Sequence, residues 1–242
     1  HQYGDRSPQN GANDESYDSA ECIHGAYRTG MLTCILATTL AGGAFAETWN
    51  TVPDRQWIGE NWWANRLQDW EIEDGAVWCI EDRPWLAMRT AHLLTHRIDA
   101  SQGEVLMEVD LLPPPAGWPK GAAVGVLLGC GSSDIDHRLT AQTHHVPAED
   151  GGFLVLVDSA GVVSVRSFEA PLDIGGQWSI SKKVSLDNLP MLDGEQSGHV
   201  QVAELPIRLR VQVKGDGLSA VVRSGDQSSE WISEEAITPS FQ

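Results

Sequence analysis

Hydrophobic and polar residues alternate most strictly over residues 104–112, where Val105, Met107, Val109 and Leu111 fall on one side of an extended chain and Glu104, Glu108 and Asp110 on the other. Successive side chains of a β-strand point to opposite faces, so this spacing predicts a strand with one buried and one solvated face. Shorter runs of the same kind precede it. Ala76-Val77-Trp78-Cys79-Ile80 follows the turn signal Glu73-Asp74-Gly75, and His92-Leu93-Leu94-Thr95-His96-Arg97-Ile98 comes next. After residue 112, Pro113-Pro114-Pro115 and Gly117-Trp118-Pro119 stop the ladder, because proline has no N–H to donate. Residues 122–129 are nearly all apolar and glycine-spaced, the pattern of a strand covered on both faces. Residues 152–157 and 162–168 flank the tight turn Asp158-Ser159-Ala160-Gly161, and residues 207–213 and 218–223 flank Lys214-Gly215-Asp216-Gly217; each set predicts a hairpin. Residues 169–204 are looser and polar and read as a long excursion inside one domain.

No segment sustains apolar residues at helical spacing. About ten short strands joined by hairpins predict an all-β fold, a two-sheet antiparallel jelly-roll sandwich, in preference to a barrel or a propeller, whose blades would repeat. That domain is expected to span residues 47–242. Ahead of it, Met31 to Ala46 reads MLTCILATTLAGGAFA, an uncharged apolar run ending in Ala44-Phe45-Ala46, the small-x-small pattern accepted by a signal peptidase. Residues 31–46 are therefore predicted to be a signal peptide cleaved before Glu47, too short to span a bilayer, which needs about 20 apolar residues. Residues 1–30 are polar, lack periodicity and are expected to be disordered or a spurious extension ahead of a true start at Met31.

Charge narrows the partners. The chain carries 16 Lys+Arg against 34 Asp+Glu, a formal −18, and has no basic run on which a polyphosphate could be neutralised, so nucleic acid is excluded as a partner class. Residues 1–46 hold five acids and two bases, which leaves −15 on the domain itself. Acidity of this size keeps an exported domain soluble. The expected location is secreted or periplasmic, with no membrane contact after cleavage. Of four cysteines, Cys79 and Cys130 remain beyond the leader, bound for an oxidising compartment. They form either a disulfide, which would stabilise the fold by roughly 4 kcal/mol, or two separately buried thiols.

Several residues invite chemistry. Trp57, Trp62, Trp63, Trp70, Trp78 and Trp85 crowd one segment. Six indoles exceed what a sugar site uses, so most are assigned to core, with Trp62, Trp63, Trp85 and Trp118 as the candidate ligand-binding residues. Asp134-x-Asp136 is the candidate for a structural calcium, although it lacks a 12-residue EF-hand loop. His144-His145, with His137 nearby, suggests a metal, but adjacent histidines on a strand diverge to opposite faces; His92 and His96 share a face without a third ligand. Glu108-Val109-Asp110 approximates a jelly-roll glucanase strand and lacks its second Glu, so a solvated strand face is expected there. No G-x-S-x-G, P-loop or CxxC occurs, and no catalytic residue is assigned.

Trp63-Ala64-Asn65-Arg66-Leu67-Gln68-Asp69-Trp70, followed by Glu73-Asp74-Gly75-Ala76-Val77 and His92-Leu93-Leu94-Thr95-His96, resembles the concanavalin A-like (LamG-type) N-terminal domain of secreted alkaline phosphatase D (PhoD-like) metallophosphodiesterases. Asp134-Ile135-Asp136-His137-Arg138 and residues 151–158 fall where such domains have an acidic-Arg loop and the hairpin after it. The likeness covers roughly residues 48–225. It implies an accessory domain whose hydrolytic partner follows Gln242, serving to position that catalytic domain or to contact substrate. None of the family's metal-binding motifs matches here. The alternative function is a stand-alone extracellular glycan-binding module using exposed tryptophans.

Overall fold

A computed structural model describes residues 29–38, 45–64, 66–80, 89–95, 103–112, 122–128, 152–167, 190–202, 206–234 and 236–237. Among the described residues fourteen strands run in chain order: β1 (Thr29–Thr38), β2 (Phe45–Thr48), β3 (Trp62–Ala64), β4 (Trp70–Glu73), β5 (Ala76–Cys79), β6 (Ala91–Leu93), β7 (Glu104–Leu112), β8 (Ala123–Leu128), β9 (Phe153–Asp158), β10 (Val163–Ser167), β11 (Gly194–Gly198), β12 (Ile207–Lys214), β13 (Gly217–Ser224) and β14 (Gln227–Ser233). A single 3-10 turn, Leu67–Asp69, is the only helical element among the described residues. The fold is all-β.

Nine strands form one sheet in the order β11-β14-β13-β12-β7-β1-β5-β4, with β2 on β1; β10-β9-β8 form a second and β3-β6 a third. Every ladder is antiparallel. Inward residues of the first two sheets meet in one core: Val105, Val109 and Leu111 of β7 and Ile207, Leu209, Val211 and Val213 of β12 on one side, Phe153, Val155 and Val157 of β9 on the other. Two facing sheets sharing a dry interior give the molecule its sandwich-like character.

The strongest alternation marks the best-formed strands. β12 buries every second residue and exposes Arg208, Arg210 and Lys214. It turns into β13 through Gly215 and Asp216, with Gly215 at φ +59°, a conformation that a side chain rarely adopts. The hairpin β9-β10 turns on Asp158, whose Oδ1 accepts hydrogen bonds from the backbone N–H of Ala160 (2.8 Å) and Val162 (2.9 Å). β8 lies inside the predicted strand 122–129 but is buried chiefly at Val126 and Leu128. Its Gly125 has no room for a side chain, since a Cβ there would stand 1.8 Å from the Val155 carbonyl oxygen.

Three differences from the sequence expectation stand out. β14 has no counterpart among the strands expected from alternation, because Gln227–Ser233 places only Trp231 as a large inward residue, with Ser229 buried beside it. The polar excursion 169–204 is not structureless: Gly194–Gly198 pairs with β14 as an edge strand, and Met191 bridges to Arg166 of β10. Gly194 is needed at that edge, where a Cβ would come within 2.2 Å of the Trp231 ring. Finally, the apolar run expected to be a leader supplies most of β1, laid between β7 and β5, and the expected cleavage point between Ala46 and Glu47 falls inside β2. Residues 96–98, the end of the strand expected at 92–98, lie outside the described residues, and β6 closes at Leu93.

Candidate functional site

The tryptophan-rich segment builds a second, smaller core beside the first: Trp49, Ile58, Trp62, Ala64, Ile72 and Val77, with Val52, Trp70, Ala91 and Leu93 packed against it. The Trp49 and Trp62 rings lie 5.7 Å apart at 51°, a tilted contact that suits two ring quadrupoles. The local folding is written in short signals. Asp74 (φ 51°) and Gly75 (φ 73°) make the two-residue left-handed turn between β4 and β5, the geometry that an Asp-Gly pair favours. Asp54 fixes that turn by accepting the Asp74 backbone N–H at 3.0 Å.

Charge is held inside this region. Asp69, buried at the end of the 3-10 turn, accepts Nε of Arg66 at 2.8 Å and Nε of Arg89 at 2.5 Å, both on Oδ2. Arg66 sits at φ 61°, and its ion pair holds that left-handed backbone in place. The carboxylate thus ties the turn after β3 to the residues leading into β6. On those strands Trp63 and His92 are cross-strand partners, their rings 5.4 Å apart, and His92 Nε2 lies 2.8 Å from Thr90 Oγ1. The indole N–H groups of Trp49, Trp62 and Trp70 are buried and meet no acceptor among the described residues.

At the rim of this cluster stands the feature open to a ligand. Arg55 pairs its backbone N–H and C=O with Ile72 and so covers the edge of β4. Its guanidinium carbon lies 4.7 Å from the Trp57 ring centroid, and its Nε donates to the Trp57 carbonyl at 2.7 Å. A cation on one face braces the indole, and Trp57 remains 50% exposed. The result is a half-open aromatic plane with a guanidinium over one face.

The expected site residues divide accordingly. Trp62 is core, at 7% exposure, and Trp63 is half-buried against His92. Trp85, Trp118, Asp134, Asp136, Cys130, His96, His137, His144 and His145 lie outside the described residues. Cys79 ends β5, half-buried, opposite Trp70 of β4. Asp110 of the Glu108-Val109-Asp110 strand takes the Arg208 fork, Nε at 2.6 Å and Nη2 at 2.9 Å, while Glu108 Oε1 stands 3.7 Å from Arg208 Nη1. The hydrogen bond and the opposite charge of Asp110 raise the Arg208 pKa above its ordinary value. No group of three His, Cys, Asp or Glu side chains placed to hold a metal occurs among the described residues. Nor does any helix there have the length and apolarity to cross a membrane.

Trp57 is the residue that the sequence left unassigned as a binder. Its signal was weak, Arg55 and Trp57 standing two apart around a bend at Gln56. No family model, curated protein or solved structure matches the chain.

Proposed function

We propose that this chain is a non-catalytic jelly-roll module of an exported protein and that it contacts an extracellular glycan through Trp57. The observation that carries the reading is the exposed, Arg55-braced indole at the rim of the tryptophan cluster. An aromatic plane stacks on the apolar face of a pyranose ring, and the adjacent guanidinium donates to ring hydroxyls. Sedimentation with insoluble polysaccharides tests it. Wild type is expected to be retained on at least one polymer and Trp57→Ala to lose at least fivefold in affinity, about 1 kcal/mol. Equal retention of the two proteins would remove the platform from the reading.

The likeness of residues 63–77 to the domain ahead of PhoD-like metallophosphodiesterases supports a second element, that the module serves as the accessory part of such an enzyme. Metallophosphatase motifs encoded downstream of Gln242 are the expected finding; a stop codon directly there would leave the glycan module standing alone. Export is tested separately by sequencing the N-terminus of the mature protein, with Glu47 expected first; a mature protein that still carries Thr29–Thr38 would keep β1 between β7 and β5 and remove the leader from the reading.

A further inference from the structure

On the outward face of the large sheet, three arginines of this acidic chain are neighbours. Arg208 of β12 lies directly opposite Arg223 of β13, and Arg210 lies two residues along β12 on the same face. All three side chains are exposed. Like charges placed opposite each other across a ladder destabilise it, so the arrangement calls for counter-charge. Only Arg208 receives it, from Asp110 and, at 3.7 Å, from Glu108. Glu108 is the cross-strand partner of Arg210, yet Arg210 and Arg223 make no ion pair among the described residues. Glu230, on β14 diagonally across from Arg223, is not within ion-pair reach of either. Val221, facing Arg210 across the ladder, gives the patch an apolar floor.

We propose that Arg210 and Arg223 form an anion subsite that takes the carboxylate of an acidic sugar, a uronate in a short or sparsely charged oligosaccharide. The two positions are diagonal neighbours, with Cα atoms about 7–8 Å apart, a span that two long side chains close around one carboxylate. Each guanidinium offers a planar fork matched to carboxylate oxygens. The whole chain's −18 opposes a dense polyanion such as nucleic acid or a heavily sulfated glycan, which leaves ligands carrying isolated carboxylates. An extended peptide is recognised at a sheet edge by main-chain hydrogen bonds, and this patch lies on a sheet face, where only side chains point outward. The subsite is separated from Trp57 by the width of several strands, since Arg55 borders β4 at the far end of the same sheet, and it does not depend on the Trp57 reading.

Calorimetric titration of the full chain with trigalacturonate tests the assignment, with a neutral trisaccharide and a short polyglutamate as comparison ligands. Trigalacturonate is expected to bind at 50 mM salt, more weakly at 300 mM, and the neutral sugar at least tenfold more weakly. Arg210→Ala with Arg223→Ala should lower trigalacturonate affinity at least tenfold without lowering the thermal midpoint, because both side chains are exposed and the repulsion between Arg208 and Arg223 is relieved. Arg210→Lys with Arg223→Lys, which keeps the charges and loses the forks, should fall between. Trp57→Ala should bind trigalacturonate like wild type. The proposal is overturned if wild type does not bind trigalacturonate, if the double alanine variant binds undiminished, or if polyglutamate binds and trigalacturonate does not. Loss of binding in Trp57→Ala alone would assign the acidic sugar to the other site and overturn this one.

Discussion

The two cores of this molecule are built on opposite plans. Between the large sheet and β8–β10 the interior is aliphatic, dominated by valine, with Phe153 and Trp231 as its aromatic members. Beside it, the tryptophan cluster packs indoles whose N–H groups meet no acceptor among the described residues, next to a buried carboxylate gripped by two arginines. The first plan asks only that volumes fit, so its strength should follow volume. The second sets directional groups in a low-dielectric surround, so its strength should follow polar placement.

Phe153→Ala probes the first plan most severely. Removing a fully buried ring from the strand centred between β8 and β10 should cost about 3–5 kcal/mol, read from urea unfolding. Next, Asp69→Asn removes the charge while conserving volume. It should cost about 3 kcal/mol, because Arg89 and Arg66 would lose their shared carboxylate; a loss under about 1 kcal/mol would show that the cluster is held by packing like its neighbour. Gly125→Ala, which forces a methyl against the Val155 carbonyl, should cost about 1–3 kcal/mol through overpacking. Smallest of all is Trp49→Phe: lost volume and the removal of an unsatisfied donor act in opposite directions, so the thermal midpoint should change by the equivalent of about 1 kcal/mol or less. A large loss there would mean that the Trp49 indole has a partner that stability depends on.

The same contrast decides what could be read in advance. Ile207, Leu209, Val211 and Val213 alternate with charged and polar residues and end at a Gly-Asp turn, so β12 and β13 were legible residue by residue. β7 was legible for the same reason. β14 was not, since its inward positions are a serine and a single tryptophan, which carry no apolar period. β11 was missed because an exposed edge strand needs no apolar face. β1 shows why a uniformly apolar stretch is ambiguous: without alternation, a leader and a strand inside a sheet look alike. In the tryptophan cluster, which indole surfaces depends on tertiary contacts. Trp62 and Trp57 differ by five positions and by the presence of Arg55 at the edge of β4, a contact that alternation does not encode.

Where β1 lies has a temporal consequence. Its eight-pair ladder with β7 reaches Leu112, so on the ribosome Thr29–Thr38 emerges long before that partner exists. Closing so long a loop is slow, and in the interval the segment is an apolar stretch without its main neighbour. Whatever captures nascent hydrophobic sequence therefore meets this stretch before β7 does, and the fate of the large sheet is decided by whether the stretch is still attached when Glu104–Leu112 arrives.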